Sequence, residues 1–187
     1  MNATEGANQP ASDMNTLFVV LAKEAVWDVQ VPGFIDRDGD TPRFTPIADN
    51  VYLAREQGYL RLDAGSGEGQ LTMTLVDRVE VPRALQGEDD EFALASVGES
   101  FFADARSSFR LTGVRYALSL GSEPDRGTVR CAEFEFEKKF VVFADPMYHF
   151  GIRLEGVGAY DRWIASTGGS EAVGSIRECV WTVDRTV

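Results

Sequence analysis

Apolar and polar residues alternate with a period of two over most of the chain from residue 16 onward, which is typical of half-buried β-strands. The clearest unit is a β-hairpin. Leu60, Leu62 and Ala64 share one face, residues 65–69 (GSGEG) form a turn, and one apolar phase continues over residues 71–81. The other face of the returning strand is polar, so we predict a hairpin with one buried face.

A slip in this alternation marks the segment 109–120. Phe109 and Leu111 follow one phase, whereas Val114 and Tyr116 keep the inward direction only if the phase shifts by one residue. Gly113 lies at the shift, and an extra glycine at such a point is typical of a β-bulge. The sequence therefore predicts a bulged strand here.

The segment 121–127 reverses the chain into a strand with aromatic residues on one face and glutamates on the other. A single register with the bulge included pairs apolar residues inside and opposite charges outside. The predicted pairs are Leu120 with Thr128, Tyr116 with Ala132, Arg115 with Glu133, Val114 with Phe134, Leu111 with Phe136 and Arg110 with Glu137.

The remaining alternation predicts strands at 17–21, 27–31, 92–97, 147–155 and 176–183, a helical turn near 99–106 and a short helix at 158–167. The first of these strands is apolar on both faces and is therefore expected at the centre of a sheet. In the segment 147–155, the side chains expected to point inward are Tyr148, Phe150, Ile152 and Leu154. Residues 47–57 fit either a helix after Thr45-Pro46 or a strand.

Together these elements predict an all-β fold with minor α content. We expect an antiparallel β-barrel or β-sandwich of roughly nine to ten strands with one or two short helices. Residues 1–15 are polar and are predicted to be a disordered tail, and residues 16–187 form a single antiparallel β domain. Whether Met14 is the true start stays open.

The net charge of the chain limits the classes of partner that we expect. The chain carries 30 acidic and 18 basic residues, for a net charge of −12. A field of this sign repels phosphate backbones and anionic membranes, so nucleic acid and membrane are not expected as partners. A basic protein is the expected partner. No apolar run is long enough to span a membrane and no secretory signal is visible, which predicts a cytoplasmic protein. The glycine clusters of the chain fit neither GxGxxG nor a P-loop, so no cofactor is expected.

Candidate chemistry is sparse. His149 is the only histidine, and Asp145 precedes it closely enough to suggest a base with an orienting carboxylate. The alternation, however, places His149 on the polar face with Arg153 and Glu155. No GxSxG nucleophile motif occurs. Catalysis by these residues is therefore the weaker interpretation, and we assign no catalytic residue.

The two cysteines and one aspartate cluster are further candidate sites. Cys131 and Cys179 lie in apolar strand patterns without metal-ligand spacing, which favours two buried thiols, and pairing stays open. Asp36, Asp38 and Asp40 begin like a calcium loop. Because Thr41 and Ile47 stand where such a loop needs glycine and glutamate, we predict no EF-hand and no metal, although a looser cation site stays open.

The function predicted from these features is that of a non-catalytic acidic interaction protein: an inhibitor, an immunity-type antagonist or an assembly subunit. The residues assigned to partner binding form an acidic loop: Glu88, Asp89, Asp90 and Glu91. The aromatic residues of the second half allow an alternative, a small-molecule-binding barrel of calycin-like architecture. A small hydrolase or isomerase using His149 and Asp145 is the second alternative.

Overall fold

A computed structural model describes residues 14–64, 67–82, 85–86, 90–102, 107–167 and 175–183. The elements in these ranges are two α-helices and twelve β-strands. They are α1 (Met14–Lys23), β1 (Ala25–Asp36), β2 (Arg43–Pro46), β3 (Asn50–Arg55), β4 (Tyr59–Asp63), β5 (Leu71–Val76), β6 (Glu91–Ser96), β7 (Phe109–Leu118), β8 (Thr128–Val129), β9 (Cys131–Phe136), β10 (Phe140–Pro146), β11 (Ile152–Glu155), α2 (Ala159–Thr167) and β12 (Arg177–Thr182).

The twelve strands form one antiparallel sheet in the order β11-β10-β9-β7-β1-β3-β4-β5-β8, with β12 on β7 and both β2 and β6 on β1. This confirms the predicted all-β class, with more strands than the nine or ten expected. The strand ladders of the described residues do not close, so the sheet is open rather than a completed barrel. None of the helices in the described ranges has the length and apolar character needed to cross a membrane.

The predicted strand at 17–21 is wrong, because this segment lies in helix α1. The buried side chains of α1 are Met14, Leu17, Phe18 and Leu21, and this i, i+3, i+4, i+7 spacing defines one helix face. Val19 lies off that face and is 38% exposed. Two β-branched residues on the outer side of the helix thus gave this segment the apolar pattern of a strand that is buried on both faces. The helix also includes Met14 and Asn15, which the sequence analysis placed in the tail.

The sheet lies between the two helices. The buried face of α1 belongs to the main core with the inward side chains of the strands, and the ring of Phe18 lies 5.8 Å from Tyr116 and 5.5 Å from Trp181. Helix α2 packs on the opposite face, where Tyr160 and Trp163 join a second cluster. Alternate residues of β7, β9 and β10 therefore belong to two different cores, which is why these three strands carry apolar residues on both faces.

The predicted hairpin is confirmed by β4 and β5, which pair Leu60 with Leu75 and Leu62 with Met73. The second strand of this hairpin ends at Val76, earlier than the apolar pattern indicated. Residues 50–55 form strand β3 between β1 and β4, so the strand alternative for the segment 47–57 is the one observed. The predicted strand at 92–97 and the helix at 158–167 are also confirmed, by β6 and α2.

The predicted bulge and register are confirmed on β7 and β9. Arg115 lies opposite Glu133, and the register shifts between Leu111 and Gly113. The expected pairing of Leu120 with Thr128 is wrong, because β7 ends at Leu118 and Thr128 pairs with Thr72 of β5 instead. Three further pairs are observed as predicted: Tyr116 with Ala132, Val114 with Phe134 and Leu111 with Phe136.

The inward alternation predicted for 147–155 fails at its start. Strand β11 begins only at Ile152, and residues Tyr148–Phe150 form a turn of 3-10 helix. Tyr148 and Phe150 are therefore exposed rather than buried. These two exposed aromatic side chains form part of the candidate interaction site.

Candidate interaction site at the loop end of the sheet

Three connecting segments meet at one end of the sheet. The Gln70 side-chain amide donates to Ser119 Oγ at 3.1 Å and to the Leu120 carbonyl at 3.3 Å. The neighbouring Gly69 lies so close to Tyr148 that a Cβ on the glycine would be 3.1 Å from the ring. Residues 67–70 thus connect the turn at 119–122 with the loop at 147–151.

This end of the sheet presents three large apolar side chains to solvent. Leu120 is 90% exposed, Phe150 is 83% exposed and Tyr148 is 48% exposed. We call these three residues the loop-end patch. Single exposed apolar residues are common on protein surfaces, but a group of them on adjoining loops is typical of an interaction site.

The loop that carries two of these residues is held in a tight conformation. Gly151 has φ +78° and ψ −159°, and a Cβ there would lie 2.6 Å from the Ala48 carbonyl oxygen. The Met147 amide donates to the Gly151 carbonyl at 2.8 Å, and the Ile152 amide donates to Ala48 at 2.7 Å. The loop is therefore fixed to the strand connection before β3.

Tyr148 adopts φ +51°, a left-handed backbone conformation that is unfavourable for a residue with a side chain. Non-glycine residues in this region cost on the order of 1 kcal/mol or more and cluster at functional sites. The backbone of the loop is therefore strained at Tyr148.

A buried ion pair lies beneath the loop. Arg130 Nη1 lies 3.0 Å from Asp145 Oδ1, and these side chains are 8% and 5% exposed. The guanidinium carbon of Arg130 also lies 5.9 Å from the Tyr148 ring centroid and 5.1 Å from that of Trp163. Because a guanidinium is attracted to aromatic faces, Arg130 connects the loop-end patch to the sheet and to α2.

The structure does not join His149 to Asp145. The second carboxylate oxygen of Asp145 accepts a hydrogen bond from Arg153 Nη2 at 2.8 Å, so both oxygens are engaged by arginines. His149 is exposed between Tyr148 and Phe150, near Gly67. The described residues show no hydrogen bond between His149 and a carboxylate. The aspartate therefore positions the loop rather than the imidazole.

The predicted acidic loop is described only in part. Glu88 and Asp89 lie outside the described residues, and Asp90 is exposed. Glu91 begins β6 and forms an exposed ion pair with Arg37. The role of these four residues in partner binding stays a prediction.

Asp36, Asp38 and Asp40 lie at the end of β1 and in the turn that follows. The Asp38 amide donates to Asp36 Oδ1 at 2.9 Å, a contact that stabilises a turn. No group of three or more His, Cys, Asp or Glu side chains in the described ranges is arranged to hold a metal ion.

Cys131 and Cys179 are free thiols on strands that flank β7 from opposite sides. Cys131 is fully buried, and Cys179 is only partly buried. The two cysteines therefore do not pair, and only one of them matches the expected burial.

Sequence patterns did not reveal the loop-end patch. The alternation of residues 147–155 assigned Tyr148 and Phe150 to the core, and Leu120 to the end of a strand. The available signal was Gly151, because a glycine inside an alternating segment often marks an irregular backbone. Nothing in the spacing showed that the segments around Gly69, Leu120 and Phe150 would meet.

Comparison of the chain with protein-family models, with curated proteins and with solved structures finds no match in any of the three. A functional proposal for this protein therefore rests only on its fold and on this site.

Proposed function

We propose that this protein is a non-catalytic binding protein that engages a protein partner through the loop-end patch. The observation that carries the proposal is the exposure of Leu120, Tyr148 and Phe150 on adjoining loops at one end of the sheet. Aromatic side chains are enriched at the buried centre of protein interfaces, and Tyr is among the residues that contribute most to binding energy there. The proposal covers an inhibitor, an immunity-type antagonist or an assembly subunit.

The rigidity of the loop supports the proposal. Gly151 is pressed against Ala48, and Tyr148 is held over Arg130 in a strained backbone conformation. A loop already fixed in its binding conformation loses little conformational entropy when the partner arrives. The buried pair of Arg130 and Asp145 thus acts as the support of the patch.

The net charge of −12 indicates the chemistry of the partner. A negatively charged protein attracts a basic one over long distances, which raises the association rate more than the final affinity. We therefore expect a partner with an apolar cleft surrounded by Lys and Arg side chains. The acidic loop, from Glu88 to Glu91, is our candidate for an additional steering element.

The alternatives are less well supported. In a ligand-binding barrel the interior would hold the ligand, but here α1 places Leu17, Phe18 and Leu21 in the main core. A hydrolase or isomerase would need Asp145 to orient His149, whereas the carboxylate of Asp145 contacts Arg130 and Arg153.

The proposal is tested by capturing partners from a lysate with three immobilised proteins. These are the wild type, a variant with Leu120→Ser and Phe150→Ser, and a control variant with Val157→Ser. Val157 is a matched control because it is 73% exposed and lies after β11, at the other end of that strand from the loop-end patch. We expect the wild type and the control to retain one shared protein that the loop-end variant loses. Retention of the same proteins by all three would reject the proposal.

A further inference from the structure

Strand β6 lies at an edge of the sheet. Its residues, Glu91–Ser96, pair with residues 30–35 of β1 in one continuous register. Within the described ranges, β1 is the only strand that pairs with β6. The outer side of such a strand presents backbone amides and carbonyls to which a further strand can bind.

The hydrogen bonds of β6 show which of its backbone groups point outward. The Val97 amide donates to the Val29 carbonyl at 2.8 Å, which continues the ladder of β6 with β1 by one residue. Along an antiparallel strand, the residues that bond to one neighbour alternate with those that point to the other side. Phe92, Leu94 and Ser96 therefore direct their amides and carbonyls away from β1.

Pro32 of β1 supports this assignment. It lies opposite Leu94 and has no amide hydrogen that it could donate to β6. Its carbonyl accepts from the Ile47 amide at 2.8 Å, on the opposite side of β1. Among the described residues, no group accepts a hydrogen bond from the amides of Phe92, Leu94 and Ser96. These three amides are thus available to a partner.

Residues 92–96 lack the features that usually protect an edge strand, which are charge, proline, a bulge or a very short length. Four other strands have a single partner in the described part of the chain: β2, β8, β11 and β12. Of these, β2 ends in Pro46, β8 has only two residues, and β11 and β12 each contain Arg and Glu. Residues 92–96 have neither a charge nor a proline, and their ladder has no bulge. An unprotected edge is the kind of site to which an extended peptide adds as a strand.

The residues of β6 and the charge of the chain indicate which strand fits this edge. Phe92 and Leu94 lie on one face of β6, and the small side chains of Ala93 and Ala95 lie on the other. An added strand therefore meets apolar side chains on both faces. The net charge of −12, which counts the complete sequence, favours a basic segment and opposes pairing with a second copy of this chain.

We propose that the outer edge of β6 binds an extended basic segment of a partner protein, which adds to the sheet as an antiparallel strand. The amides of Phe92, Leu94 and Ser96 donate to carbonyls of the segment, and their carbonyls accept from its amides. Lys or Arg side chains of the segment face the acidic end of β6 at Asp90 and Glu91, of which Glu91 also pairs with Arg37. The proposal uses no residue of the loop-end patch, so its test does not depend on partner binding there.

The test is an NMR titration of the full chain with a synthetic peptide in which valine and threonine alternate between two terminal lysines. We expect saturable binding, with the largest shifts at residues 91–97 and slower hydrogen exchange of the outward amides. A peptide with glutamates in place of the lysines should bind about tenfold more weakly or worse. A peptide with every amide N-methylated keeps the side chains and the charge but cannot donate to the edge, so it should show no saturable binding.

Two variants of Leu94 separate the backbone from the side chain. Leu94→Pro removes the central outward amide, and the fold should tolerate it because this amide is not part of the ladder with β1. Leu94→Ala shortens the side chain but keeps the amide. We therefore expect Leu94→Ala to bind the lysine peptide about threefold or more tightly than Leu94→Pro does.

Three results of the titration would overturn the proposal: no saturable binding of the lysine peptide, largest shifts away from residues 91–97, or equal affinities of the lysine and glutamate peptides. Self-association of the chain that Leu94→Pro abolishes would assign the edge to a second copy instead and would also overturn it. If Leu94→Pro does not fold, the N-methylated peptide decides, because the protein is then unaltered. Equal binding of the methylated and unmethylated peptides would exclude strand addition.

Discussion

Arg130 Nη1 lies 3.0 Å from Asp145 Oδ1 in a pair that is almost completely buried. Arg130 immediately precedes β9, and Asp145 is the penultimate residue of β10. The pair therefore fixes the end of the sheet from which the loop-end patch projects. We therefore expect removal of this pair to lower the stability of the whole fold.

We predict that Asp145→Ala lowers the free energy of unfolding by about 3–5 kcal/mol, because it leaves a buried arginine without its partner. The control is Glu123→Ala, which breaks the exposed pair of Glu123 and Arg126, and this should change stability by about 1 kcal/mol at most. Urea denaturation followed by circular dichroism measures both values. Similar effects of the two substitutions would contradict a supporting role for the buried pair.

A second prediction compares two glycines on either side of β11. Gly151→Ala should lower stability by about 1–3 kcal/mol or more, since its backbone conformation is restricted to glycine and a Cβ would meet Ala48 at 2.6 Å. Gly156 has no atom within 4 Å of the corresponding position. Gly156→Ala should change stability by about 1 kcal/mol at most. Thermal unfolding of the two variants would contradict this account if their melting temperatures agreed.

The register of β7 and β9 shows what could be predicted from the sequence alone. One bulge at Gly113 was enough to place Arg115 opposite Glu133, because charge pairing and burial demanded the same alignment. The same reasoning failed for α1, where Val19 and Val20 filled the outer face of a helix with strand-like residues. Alternation alone cannot distinguish an apolar helix from a strand when both faces are apolar.

The loop-end patch could not be predicted from the sequence, for a different reason. Its residues come from segments far apart in the chain, and their meeting depends on contacts of Gln70 with Leu120 and of Gly69 with Tyr148. Such tertiary contacts leave no periodic signal. The buried position of Glu133 likewise depends on its tertiary neighbours, Tyr160 of α2 among them, whereas its alternation with polar neighbours in the sequence placed it in solvent.

The burial of Glu133 has a consequence for pH dependence. Burial raises the pKa of Glu133 above its ordinary value of 4.5, although Arg115 opposes the shift. The folded state therefore binds this proton more readily than the unfolded state, so the contribution of Glu133 to stability falls as the pH rises from about 4.5 through the folded pKa. The difference in unfolding free energy, wild type minus Glu133→Gln, should decrease over this range. A difference that stayed constant or increased with pH would contradict the prediction.

The two thiols should differ in reactivity. Burial raises the pKa of Cys131, and its side chain is inaccessible in the folded protein. Since the thiolate is the reactive form, a thiol reagent should modify only Cys179 in the native protein and both residues in denaturant. Cys179→Ser should remove the native reaction. Rapid modification of Cys131 without unfolding would contradict the packing of α2 against β9.

The most direct measurement for the binding role is site-specific photocrosslinking in cells. A photoreactive phenylalanine analogue replaces Phe150 in one variant and Val157 in the other, two positions that are both more than 70% exposed. We predict a discrete adduct with one protein from position 150, and its loss when Leu120→Ser is added, because the residues of the patch act together at an interface. An adduct from position 157 of equal yield, or none from position 150, would contradict partner binding through the loop-end patch.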